Sequence, residues 1–318
     1  MKANLDGTDP QVAVKATGDE DPNNTSLMQS PDGKYVALLA IRNSDDKTPQ
    51  LYVLATADDK LLEADNGTAN FSIYGWAGDK LIYTVNRTDL PAWQQGLNKL
   101  KAYDASTGAI TLLDQSAGSD ESTSLNEYYA AVMVTLNNVV YAKTWSGNFY
   151  AQASKQDSLQ TISVTGQNHQ NLATYNGDDY NNFAQHGPDT LYIDQHNSSA
   201  GIDVYTQYTV GASVQPLTIT STQFYQNQYA YYYSPLGKQT LWAEVRDGKN
   251  AIIVADPNGK SPSTIATLES ETPSGWYTDQ YILLTKDNDE LYIMSANGGT
   301  PVKVADYQSA SYGYGYGR

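Results

Sequence analysis

Catalysis near neutral pH needs a proton carrier, a nucleophile or a metal ligand, and this chain of 318 residues is poor in all three. It has three histidines, His169, His186 and His196, and no cysteine. Without cysteine there is no disulfide, no thiolate-bound zinc and no thiol catalysis. His186 and His196 bracket one apolar run, "TLYID". A strand of that length spans about 17–20 Å, which sets the two rings at opposite ends. His186 therefore reads as a packing residue, and His169 falls in a hairpin turn. Oxygen-rich clusters occur at "NGDDYNN" (176–182) and "KDNDE" (286–290). Neither has the ligand spacing of an EF-hand, and the second is explained by a turn between strands. The expectation is no cofactor, with calcium as the alternative.

The remaining candidates are aromatic. Trp93 lies in "TDLPAWQQGLN", and Trp145 opens "WSGNFYAQASKQD", which also carries Phe149 and Tyr150. Both segments are long connections leaving an apolar run. Loops held by a rigid scaffold are where binding usually resides. Trp93, Trp145, Phe149 and Tyr150 are therefore expected to form a partner-binding surface. The competing reading is a loop that folds its aromatics beneath itself.

The elements that position these residues recur along the chain. "SPDGKYVALLA" (30–40) joins a Pro-Asp-Gly turn to an apolar run. Similar units are "GWAGDKLIYTV", "VTLNNVVYAKTW", "HGPDTLYIDQH", "YSPLGKQTLWAEV" and "GWYTDQYILLTK". Aligned on the turn, Gln29, Trp76, Val134, His186, Tyr233 and Trp276 are equivalent, 43 to 58 residues apart. Each unit is followed by a strand, a tight turn and another strand, as in "LKAYDASTGAITLL" and "LYIMSANGGTPVKVA". Thr-Gly, Asn-Gly and Gly-Gly supply the positive φ that such turns require. A further strand-like segment precedes each unit. The repeat is thus four short strands, a to d, and no long helical period interrupts it. Such units repeating around an axis make a β-propeller.

The expected fold is therefore all-β, a propeller of about six four-stranded antiparallel blades, with seven as the alternative count. Residues 1–24 form a polar leader, 25–306 the propeller, and 307–318 a Tyr/Gly-rich tail or closing strand. "YQNQYAYYYS" (225–234) reads as strand a of blade five. Trp93, Trp145, Phe149 and Tyr150 then belong to the b–c loops of blades two and three. Asp32, Asp79, Asp189 and Asp279 read as equivalent turn residues on the opposite face, capping local N–H groups.

"SPDGKYVALLA" and "LYIMSANGGTPVKVA" resemble the WD40-like repeat of the TolB type, which also builds the propellers of prolyl-oligopeptidase-family enzymes. The resemblance implies a fold, and fold alone does not fix function. Those peptidases carry a hydrolase domain with a Gly-x-Ser-x-Gly elbow, which does not occur here.

Net charge is −16, from 19 basic and 35 acidic residues, without the basic clusters that phosphate binding needs. Nucleic acid is not an expected partner. No stretch reaches the roughly 20 apolar residues of a membrane span, so no membrane insertion is expected. The sequence expectation is a monomeric, non-enzymatic binding module outside the cytoplasm. It would present its b–c loops to a protein, peptide or glycan. The alternatives are a lyase or hydrolase using side chains at the channel mouth, or the propeller of a longer, membrane-anchored surface protein.

Overall fold

The computed structural model describes residues 11–14, 26–40, 50–65, 69–87, 98–120, 125–147, 155–176, 180–186, 189–197, 200–226, 232–257, 259–286 and 290–306. They form six antiparallel sheets, the blades of a β-propeller. Blade one is β1 (Ser26–Gln29), β2 (Tyr35–Ala40), β3 (Gln50–Ala55) and β4 (Lys60–Asp65). Blade two is β5 (Ala69–Ala77), β6 (Lys80–Arg87), β7 (Asn98–Asp104) and β8 (Ala109–Gln115). Blade three opens with an extra strand, β9 (Ser119–Asp120). It continues with β10 (Leu125–Val134), β11 (Asn138–Gly147), β12 (Gln156–Ser163) and β13 (Gln170–Asn176). Blade four is β14 (Tyr180–Gln185), β15 (Thr190–Asn197), β16 (Ile202–Thr209) and β17 (Gln215–Pro216). Blade five is β18 (Tyr232–Tyr233), β19 (Thr240–Arg246), β20 (Lys249–Ala255) and β21 (Ser263–Leu268). Blade six is β22 (Thr272–Thr278), β23 (Tyr281–Lys286), β24 (Glu290–Ser295) and β25 (Val302–Asp306).

Strand b shows why one sheet cannot stand alone. Val139–Ala142 of β11 and Thr240–Ala243 of β19 are buried at every position. Successive side chains point to opposite faces, so such a run needs cover on both. The chain divides into two compact units, Ala64–Tyr231 and Met1–Glu63 with Tyr232–Arg318. In the first, Tyr141 and Ile162 of blade three pack on Ile82, Leu100 and Leu113 of blade two. Val140 and Leu159, from the other face of blade three, pack on Leu191 and Ile193 of blade four. In the second unit, Leu241 and Ile252 of blade five meet Trp276, Ile282 and Leu284 of blade six.

Strand d carries a recurring irregularity. In blades two, three, five and six one residue of strand d is extra to the ladder: Leu113, Leu172, Ile265 and Val304. A bulge sets two residues against one and re-aims the side chains beside it. In blade two it turns consecutive residues, Leu113 and Asp114, toward blade three.

Three sequence expectations are corrected. Strand pairing sets Gln185, not His186, opposite Leu191, at the position that Trp76 holds opposite Leu81. His186 comes one residue later, and its N–H donates to Thr190 O as that of Ser30 donates to Tyr35 O. Tyr225 is not in strand a of blade five. Residues Ser221–Gln226 form a short helix, and that strand is only Tyr232–Tyr233. The helix is nucleated by a capping box: Gln223 N–H donates to Thr220 Oγ1 (3.2 Å), and Thr220 N–H to Gln223 Oε1 (2.9 Å). The four turn aspartates are not all equivalent. The Asp79 and Asp189 carbonyls accept matching bonds from Ala105 and Val210, a position that Lys34 and Gln280 hold in blades one and six. Asp32 and Asp279 stand earlier in their turns. Asp32 accepts Lys34 N–H locally, whereas Asp279 accepts Leu236 N–H of blade five.

Gly298 of blade six lies close against the backbone of Ile265 in blade five. Its φ is +95°, and a Cβ there would lie 2.6 Å from Ile265 O. Replacing it with Ala must move backbone as well as strain φ. Gly298→Ala should lower unfolding free energy by on the order of 2–4 kcal/mol. Gly211→Ala, at φ +84° with nothing within 4 Å, should cost only about 1 kcal/mol. Urea unfolding of the two variants measures the difference, and equal losses would refute the contact.

Candidate functional site

Trp145 lies on β11, two residues before its end. Tyr141, Lys143 and Trp145 alternate on the face of β11 turned to blade two. Trp145 is half-buried, and Lys155 Nζ sits 4.5 Å from its ring centroid, a cation–π contact. Across the ladder its partner is Glu127, whose carboxylate accepts Ala117 N–H from the connection between blades two and three. That connection then forms β9, which pairs along the free edge of β10. The Trp145 backbone N–H donates to Asp157 Oδ1 at 3.0 Å. The tryptophan is thus fixed by its strand, a carboxylate and a cation. Trp93, Phe149 and Tyr150 lie outside the described residues. Their flanking strands are the b and c strands of blades two and three, as the sequence predicts.

The blade-four side of the same strand end is polar. Asp157 is almost fully buried, and its Oδ2 accepts Asn181 Nδ2 of blade four at 2.8 Å. Burial holds its carboxyl above the usual carboxylate range, while the donors from Asn181 and Trp145 pull it down and Glu127 adds a smaller upward push. Thr144, opposite Asp157 by register, is 5% exposed, and its hydroxyl has no partner in the described structure. Burial pushes the nearby Tyr175 phenol up to about 12. This strand end gathers hydroxyls and one acid between two blades.

A second feature repeats at this end of the blades. Asp65, at the end of β4 and already within the Ala64–Tyr231 unit, accepts Tyr83 OH at 2.8 Å and Lys101 Nζ at 2.6 Å. Asp114, near the end of β8, accepts Tyr129 OH at 2.9 Å and lies 3.1 Å from Lys143 Nζ. Burial, reinforced by these carboxylates, drives the Tyr83 and Tyr129 phenols far above their ordinary value. These phenols stay protonated and serve as donors. Sequence reading missed this pattern, although Asp65 and Asp114 both close their blade's last strand.

The histidines stand apart. His186 stacks on Tyr192 at 4.2 Å, as a packing residue would. His196 Nδ1 pairs with Asp203 at 2.6 Å, and His169 Nε2 lies 3.1 Å from Tyr141 OH. Among the described residues no group of three His, Asp or Glu is placed to hold a metal ion. Nor is any helix there long and apolar enough to cross a membrane.

No protein-family model matches the chain, and no curated protein matches it significantly. Solved structures do match. A prolyl endopeptidase structure aligns over 93% of this chain and 42% of its own, at 16% identity and TM-score 0.51. TolB from Acinetobacter baumannii aligns over 85% and 63%, at 14% identity and TM-score 0.44. An oligogalacturonate lyase in complex with manganese aligns over 87% and 74%, at 14% identity and TM-score 0.41. What the prolyl endopeptidase shares with this chain is the fold. The chain thus spans less than half of the first neighbour and less than two thirds of the second. The prolyl endopeptidase corrects the expectation of a non-enzymatic chain: an enzyme carries this fold, so a missing hydrolase motif does not exclude catalysis.

The raised Asp157 carboxyl has a measurable consequence. A carboxyl that holds its proton more tightly folded than unfolded lowers stability as pH rises from its unfolded value, about 3.8, through its folded one. Asp157→Asn keeps an acceptor for Trp145 N–H and has no proton to lose. Its stability relative to wild type should therefore improve as pH rises out of the acid range, then level off once Asp157 is ionised. Unfolding titrations across pH would show this. A pH-independent gap would mean that Asp157 is not held above its ordinary value.

Proposed function

We propose that this chain is a TolB-like propeller that binds a protein, peptide or glycan through the b–c end of blades two to four, outside the cytoplasm. The observation that carries this reading is Trp145. A half-buried indole, clamped at its backbone by Asp157 and covered on one face by Lys155, is already ordered before any partner arrives. Ordering in advance lowers the entropic cost of association. Aromatic anchors of this kind carry a large share of interface energy. The net charge of −16 favours a neutral or basic partner and slows approach of an anionic one. Trp93, Phe149 and Tyr150 extend the same surface in this proposal.

Screening arrayed peptides and glycans against wild type and Trp145→Ala tests the reading. The variant should lose about 2 kcal/mol of affinity for the best ligand, roughly thirtyfold, while keeping its unfolding midpoint. A ligand that binds both proteins equally would place recognition elsewhere.

A further inference from the structure

A separate recess lies wholly within blades five and six, among their a–b and c–d turns. Its volume is about 430 Å³, within the range of small-molecule and short-peptide sites. The floor is aliphatic, with Val254, Ile265 and Ala296. The rim is polar, with Lys238, Gln239, Ser261 and Asn297. One side is close-packed: Gly298, next to Asn297, lies against the backbone of Ile265.

Lys238 is exposed and is the one cation of the lining. Like Lys60 and Lys99, it holds no carboxylate within ion-pair distance among the described residues. The lining's carboxylate, Asp256, is engaged through Oδ1 by Lys260 N–H at 2.7 Å. Ser261 is held at φ 54°, a left-handed conformation that costs any residue with a Cβ. A glycine would fit there more easily.

We propose that this recess binds the free C-terminus of a peptide ending in an aliphatic residue. Lys238 would take the terminal carboxylate as a charge-assisted hydrogen bond. The Gln239 and Asn297 amides both donate and accept, which matches a peptide backbone. Ile265, the partly buried aliphatic residue of the lining, would meet the last side chain. A sugar fits less well, since the floor offers no aromatic ring for stacking. Capture of a terminal carboxylate is an established mode of peptide recognition. This site is independent of Trp145.

The test uses a fluorescein-labelled peptide ending Ala-Ala-Leu with a free carboxylate, and the same peptide amidated, in anisotropy titrations with the full chain. The free acid should saturate below about 1 mM, an affinity fitting so small a contact. Amidation, or Lys238→Gln, should weaken binding at least about tenfold, as loss of a hydrogen bond to a charged group does. Lys238 is exposed, so its variant keeps the wild-type unfolding midpoint. Equal binding of acid and amide, an unaffected Lys238→Gln, or no saturation by wild type would each overturn the proposal. Competition by acetate as strong as by the unlabelled peptide would overturn it too, reducing the recess to a site for any carboxylate.

Discussion

A blade of this protein is apolar on both faces, and everything else follows from that. Val139 to Ala142 would expose two opposite surfaces if blade three stood alone. Covering both requires a neighbour on each side, so the hydrophobic effect acts mainly between sheets here. The interblade cores then leave little room for charged groups except near strand ends. Asp65, Asp114 and Asp157 are all near such ends.

The way carboxylates are accommodated there is a local solution to a costly problem. A half-buried charge is unfavourable unless it is paired and hydrogen-bonded. The bulge at Leu113 lets one strand supply an apolar contact and an acid to the same neighbour in consecutive positions. Lys143 and Tyr129 then satisfy the acid from two strands of blade three. The pairing links blades through charge as well as packing. It also fixes the outer part of β11, whose next residue on that face is Trp145.

Much of the architecture was legible because it is local. The a–b and c–d hairpins are written in turn residues, and the Gly of each Thr-Gly, Asn-Gly or Gly-Gly turn adopts the positive φ read from sequence, as at Gly108, Gly259 and Gly298. The alternating and continuous apolar runs became the strands. What escaped is non-local or masked by composition. The Asp–Tyr–Lys contacts join residues of different blades, which periodicity within a blade cannot reveal. Thr220-x-x-Gln223 is a helix start that lay unnoticed because the following tyrosines favour strand. His186 was misaligned by one residue because its turn, unlike that of "SPDGK", offers no Gly at the same offset. Of the four aromatic candidates, Trp145 belongs to the described structure, and its clamp by Asp157 is invisible in sequence, twelve residues away.

Every described sheet is assembled from strands consecutive in the chain, with no strand borrowed by the first blade from the last. Each described blade is therefore one contiguous stretch of chain. Duplication or loss of one blade would then need only a single in-frame genetic event, and blade number becomes a trait that can drift across descendants.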